Sequence, residues 1–338
     1  MSDLAGYTGS LGSRARFRTS GGEIAYTDAG EGPVVLLLHG FPLWSYEWRE
    51  LIPLFSTRFR VIAPDLLGSG DSEQPEGVPL DIRAQAGYVR ELLAELGVER
   101  FAVVGHGCGG GIAQLLALDG DDVEAMVLLD AAAFDAWPSA PTRAAQRREP
   151  QPPQGAEHVA AVRAGIVTAA GSPSRIPEAV IEAYVAPFAD APGAYERALA
   201  AIDGEGLVGL EGDLARISFP VLILWGEDDP CFPAIAGERL NEAMPSSTLG
   251  LLPGCGHLIV DEAADTIGPL ISEYLRARWL HAPHGHGDTS GVVMLQLERR
   301  PPWVDLAEAE ADDWFDAEGA EPRVPDPADQ EIGEGAER

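Results

Sequence analysis

One run constrains this chain more than any other: Phe101-Ala-Val-Val-Gly-His-Gly-Cys-Gly-Gly-Gly-Ile-Ala-Gln114. It reads as a buried strand, a sharp turn and a helix. Small residues at 105 and 109 flank position 107. This is the pattern of a nucleophile elbow, which holds an attacking side chain on a strained turn above a parallel sheet. Position 107 should then carry Ser, Asp or Cys, yet it is Gly107 and has no side chain.

Similar apolar runs recur along the chain. Val34–Leu38 lies between Pro33 and Gly40, and residues 59–63, 125–129, 221–225 and 248–252 repeat the pattern. Such runs suit strands buried on both faces of a parallel sheet. Alternation around Gly21-Gly22 predicts an antiparallel hairpin over 14–29. Helical periodicity lies between the strands, at 46–55, 82–96, 110–118 and 265–279. The alternation predicts an α/β fold: a mostly parallel eight-stranded sheet flanked by helices.

Residues 1–13 read as an N-terminal arm, and 14–133 with 217–280 as the core. Over 134–216 the strand signals stop, and helical periodicity appears near 156–170 and 176–203. An insertion there would cover the C-terminal ends of the strands, where open α/β sheets bind ligands, so it is expected to be a helical lid. Residues 281–338 read as an acidic, largely disordered tail, because too few branched apolar residues are present to bury. Within it, 291–297 reads equally as an added edge strand or as linker. His281, His284 and His286 read as linker, since no carboxylate or cysteine completes a ligand set.

Composition narrows the partners. The 338 residues are 46% hydrophobic, carry a formal charge of −31 and contain no lysine. Such an acidic surface argues against nucleic acid and anionic membranes. The N-terminus lacks the basic and apolar regions of a signal peptide, and no apolar run is long enough to cross a bilayer. Cys108, Cys231 and Cys255 make no disulfide framework, so a reducing cytoplasm is the expected compartment. No metal or cofactor is called for.

Three further segments carry chemistry. His39-Gly40-Phe41-Pro42 follows the central strand, in position for the Phe41 amide to join the Cys108 amide as an oxyanion hole. Gly226-Glu227-Asp228-Asp229 follows a later strand. Asp229, one turn past the strand end, is the favoured carboxylate to orient a histidine, and Asp228 is the neighbouring alternative. Gly256-His257 follows the last strand on a glycine-flanked loop, where an imidazole can shuttle protons. Shifting the register would make Cys108 the nucleophile. It would also force His106 into the small position of the elbow, and thiolate reactivity needs an exposed, electropositive site.

Over about residues 14–280 the chain resembles the α/β-hydrolase superfamily. The matching motifs are His39-Gly-Phe-Pro42, Asp65-Leu-Leu-Gly-Ser-Gly-Asp-Ser72, Gly105-His-Gly-Cys-Gly-Gly110, Gly226-Glu-Asp-Asp229 and Gly256-His257. The run from His39 to Arg49 most resembles the epoxide hydrolase and haloalkane dehalogenase branch, whose nucleophile is Asp. In dehalogenases of that branch Trp usually follows the nucleophile, where this chain has Cys108. The resemblance implies two lid tyrosines that protonate an opening epoxide, for which Tyr184 and Tyr195 are candidates. It also puts His39 and Trp44 near the substrate.

The reading is an enzyme acting on a small apolar molecule of ester or epoxide type. It lacks the elbow nucleophile at Gly107 and uses His257, Asp229 and the backbone oxyanion hole. The alternatives are a non-catalytic protein that binds a small ligand, or a cofactor-free lyase, isomerase or cyclase.

Overall fold

The computed structural model describes residues 9–120, 122–147, 155–189, 191, 193–280 and 295–296. The expected tail, apart from 295–296, and the three tail histidines lie outside the described residues.

The sheet consists of β1 Arg14–Arg18, β2 Glu23–Ala29, β3 Val34–Leu38, β4 Arg60–Pro64, β5 Phe101–His106, β6 Val123–Leu129, β7 Val221–Gly226, β8 Ser247–Leu252 and β9 Leu295–Gln296, with apolar runs in the central parallel strands β3 to β7. The spatial order is β1-β2-β4-β3-β5-β6-β7-β8-β9. β1 with β2 and β2 with β4 are antiparallel, and every other pair is parallel. Eight strands match the sequence reading. The ninth is a two-residue addition on the open edge of β8, within the segment that read equally as strand or linker.

The main helices are α1 Ile82–Glu95, α2 Cys108–Leu118, α3 Ala140–Gln146, α4 Gly155–Ala169, α5 Glu178–Ala189, α6 Ala194–Ala201, α7 Ile235–Ala243 and α8 Ala264–Tyr274. Asp81 starts α1 by accepting the amides of Arg83 and Ala84, each at 3.0 Å, as an N-cap aspartate does. The helix expected over 46–55 is instead a 3-10 turn at Ser45–Arg49 followed by a short helix at Leu51–Phe55. Pro53 has no N–H to return to the carbonyl four residues back, so one continuous helix is not available.

Pleating separates two cores. Val35 and Leu37 pack on one face of the sheet with Leu51, Phe55, Ile267 and Ile271, while Leu36 and Leu38 pack on the other with Val89, Leu92 and Ile112. Between β6 and β7 the described residues form helices and no strand. This helical segment is tied down by a buried cluster. Arg49 pairs with Asp261 at 2.7 Å, and the Tyr184 hydroxyl on α5 donates to the other Asp261 oxygen at 2.8 Å. The indole N–H of Trp44 donates to the Ala183 carbonyl at 2.9 Å.

Arg49→Met should leave the Asp261 charge buried and unpaired, lowering stability by about 3–5 kcal/mol. Chemical denaturation measures this. Tyr184→Phe should cost only about 1–2 kcal/mol, since it removes one donor and keeps the ion pair.

Candidate active site

Four loops meet at the C-terminal ends of the parallel strands. They follow β3 (residues 39–43), β5 (Gly107), β7 (227–232) and β8 (253–258). The turn after β5 sets the geometry. Gly107 sits at φ +52° and ψ −122°, a backbone state that L-residues adopt only under strain. A Cβ built there would point at His257, 3.3 Å from Nε2, with the Gly40 Cα at 3.4 Å. The elbow is therefore formed, and a side chain at 107 would face the imidazole.

His257 Nδ1 lies 2.9 Å from Asp229 Oδ2. Asp229 is buried, and its other oxygen accepts the amides of Cys231 at 2.6 Å and Phe232 at 3.0 Å. Asp228 is exposed. With the carboxylate held by two amides, Nδ1 is the proton-bearing nitrogen and Nε2 is directed toward Gly107. Among the described residues the Phe41 and Cys108 amides donate to no backbone carbonyl, and the Cys108 amide opens the N-terminus of α2.

Cys108 itself is a neutral thiol. Burial and the nearby Glu47 charge push it up to about 12, and Sγ leans on the His39 carbonyl at 3.8 Å. Asp229, Cys231 and His257 bring a carboxylate, a thiol and an imidazole within 4.8 Å of one another. However, Asp229 is fully committed to hydrogen bonds, and burial raises the Cys231 thiol, so the trio offers no ready thiolate ligand.

Three residues expected against substrate are held elsewhere. The His39 ring is pinned at both nitrogens, with Nδ1 at 2.9 Å from the Gly40 carbonyl and Nε2 accepting the Leu66 amide at 2.9 Å. Burial lowers its pKa, which fits a neutral brace between two loops. Trp44 is fully buried with its N–H on α5, and the Tyr184 hydroxyl is turned into the Arg49–Asp261 pair. Tyr195 stacks on Phe41 at 5.3 Å between centroids, beside the oxyanion loop.

Two supports went unread in the sequence. Beneath the site His106 is fully buried, with Nδ1 at 2.6 Å from Glu47 and Nε2 at 2.7 Å from the His257 carbonyl. Both nitrogens face acceptors, which makes this ring an imidazolium. Burial opposes that charge, but Glu47 and the His257 carbonyl outweigh it and the pKa is raised. The other Glu47 oxygen accepts the Gly40 amide at 3.2 Å.

The second support is Glu262. Its carboxylate accepts the amides of Gly171 and Gly256, each at 3.1 Å, and of Ser172 at 2.8 Å. The His257 amide donates to the Ala169 carbonyl at 2.9 Å. The loops touch so closely that a Cβ on Gly256 would lie 2.0 Å from the Gly171 nitrogen. The end of α4 is thus sewn to the histidine loop. Glu47 lies inside the motif run from His39, but nothing local marks its partner. Glu262 carries no sequence signal at all.

Gly107→Ala should lower stability by about 1–3 kcal/mol, because the elbow dihedrals strain any residue that has a Cβ. Thermal and denaturant melts measure it. Glu47→Gln should cost about 3 kcal/mol in acid and less as pH rises. The sign follows from His106. Its folded pKa lies above the unfolded value of about 6.5, so the pairing stabilises fully below that pH and is lost as pH climbs through the folded value. Denaturation of both proteins from pH 5 to 9 checks the convergence.

Comparison with known proteins agrees with the fold. A sequence model described as the alpha/beta hydrolase fold matches residues 33–171 and 179–264. The chain is 32% identical over 273 residues to haloalkane dehalogenase 2 of Mycobacterium tuberculosis, covering 76% of this chain and 93% of that protein. It is 46% identical over 112 residues to a soluble epoxide hydrolase of Corynebacterium sp., covering 33% of this chain and 39% of that protein. A solved meta-cleavage product hydrolase from Pseudomonas fluorescens IP01 superposes with a TM-score of 0.67 at 25% identity, covering 78% of this chain and 97% of that one. With its sheet order and elbow, this chain belongs to the alpha/beta hydrolase fold family.

Proposed function

We propose that this protein is a hydrolase of small apolar esters or epoxides that works without a covalent intermediate at the elbow. The observation that carries this is the facing of His257 Nε2 and Gly107, with Asp229 held behind the ring. Gly107 has no atom to attack substrate, and the neutral Cys108 thiol does not replace it. A water above Gly107 gives its proton to Nε2 as its oxygen bonds to the electrophilic carbon. The negative charge that develops on the substrate oxygen is met by the Phe41 and Cys108 amides. The proton then passes from Nε2 to the departing oxygen, and Asp229 balances the imidazolium in between. The helical segment 134–216 acts as the lid, with Tyr195 on Phe41 closing over the oxyanion loop.

A second reading, a non-catalytic ligand-binding protein, draws on the same turn. Glycine relaxes an elbow that a catalytic side chain would strain.

Single turnover in H2(18)O separates the readings. Direct water attack puts the label in the product at the first turnover and none in the protein, with His257→Ala slower by about 10²–10⁴-fold. Label appearing in a protein carboxylate would overturn the water mechanism. Absence of turnover across ester and epoxide panels would favour the binding protein.

A further inference from the structure

One buried acid takes no part in the proposed chemistry. Asp130 directly follows β6 and is 0% exposed. Its amide donates to the Leu224 carbonyl at 3.1 Å. Its Oδ1 accepts the amide of Gly226, the last residue of β7, at 2.8 Å. The backbone stands at φ +41°, a left-handed state that Asp and Asn visit more readily than other side-chain-bearing residues. The second oxygen, Oδ2, is equally buried and has no hydrogen-bond partner among the described residues. The histidines of the site are committed elsewhere, His106 to Glu47 and His257 to Asp229. The charged groups that bear most on Asp130 are the carboxylates of Asp229 on the β7 loop, Glu262 after β8 and Glu47 in the turn after β3. The thiols of Cys231 and Cys255 also lie within reach of its charge. A carboxylate here would keep a bare oxygen out of water and face three like charges. Both costs fall away when the group holds a proton.

We propose that Asp130 works as a neutral carboxylic acid, a positioning residue that fixes the end of β7 and leaves Asp229 as the negative charge behind His257. It braces Gly226, three residues before Asp229, and adds no charge of its own. A second negative charge beside Asp229 would favour the imidazolium before substrate arrives and take the base out of use. Burial, and then the Asp229 charge, raise the Asp130 pKa well above the usual carboxylate value, in keeping with the geometry. The inference rests on His257 as the base of the proposed hydrolysis, but its test counts protons rather than turnover.

The test compares the full chain with Asp130→Asn and Asp130→Ala by denaturation from pH 4 to 8. The Asp130 carboxyl carbon and the His257 Nδ1 proton are followed by NMR. In the unfolded chain Asp130 loses its proton at about pH 3.9, and in the folded chain it keeps the proton to higher pH. Its stability contribution is therefore complete below the unfolded value and is lost as pH climbs toward the folded one. Asparagine has no such proton to lose. Relative to Asp130→Asn, the unfolding constant of the wild type should rise by up to about tenfold per pH unit until the folded acid ionises. The carboxyl carbon should keep the shift of a protonated acid at neutral pH. Asp130→Asn should hold the His257 Nδ1 resonance in its wild-type position, whereas Asp130→Ala, which cannot accept the Gly226 amide, should move or broaden it. A stability difference independent of pH, a carboxylate signal at neutral pH, or an Asn variant that loses the Nδ1 resonance as Ala does would overturn the proposal. Should neither variant fold, the carbon signal of the wild type decides alone. A neutral Asp130 in a protein that hydrolyses nothing would uphold the proposal and sink the hydrolase reading, and hydrolysis with an ionised Asp130 would do the reverse.

Discussion

The ion pair between Glu47 and His106 is the constraint on which the rest of the site depends. Its four polar ends reach the turn after β3 through the Gly40 amide, the elbow through His106 itself, and the histidine loop through the His257 carbonyl. Three separate loops are thereby held at hydrogen-bond distance around one buried charge pair. Such a pair adds little net stability over an apolar substitute, but losing one partner strands a charge in the core. The arrangement therefore favours one geometry of the loops over all others. That geometry is the one in which His257 faces position 107.

Position 107 shows what the elbow costs. Its dihedrals are kept although no side chain uses them, because the turn is imposed from outside. The Gly107 amide donates to Leu129, and its carbonyl accepts from Ala132 and from the first turn of α2. A scaffold that over-determines a strained turn will hold it with or without a nucleophile. Glycine removes the strain and opens a small polar space beside an imidazole. A water can then stand where a covalent partner would be bonded, and this is the chemical basis of the proposed hydrolysis.

The helical segment between β6 and β7 is bound to the core at two places. Glu262 gathers amides from the end of α4 and from the histidine loop, and Arg49 with Asp261 receives Tyr184 from α5. Movement of α4 would therefore be felt at His257 through Gly256, since the two loops share one carboxylate and are in backbone contact. Tyrosine on a helix over a site invites a catalytic reading. Here the hydroxyl of Tyr184 satisfies a buried carboxylate, which would otherwise keep an unpaired lone pair in the core.

The sequence by itself determined the sheet, the elbow and the order of its partners, because each rests on a local pattern. Apolar runs bury on both faces of a sheet, a glycine-flanked turn permits the elbow, and Asp229 and His257 sit just past strand ends. Even the absence of a side chain at 107 is a one-letter fact. Tertiary structure alone decided what those residues touch. Glu47 and His106 are 59 positions apart, and Glu262 meets Gly171 across 91, distances over which no periodicity or motif carries information. His39, Trp44 and Tyr184 looked available in the sequence because a polar atom's partner is invisible there. Buried hydrogen-bonding groups must be satisfied, and only the folded chain shows which of them the core has already claimed.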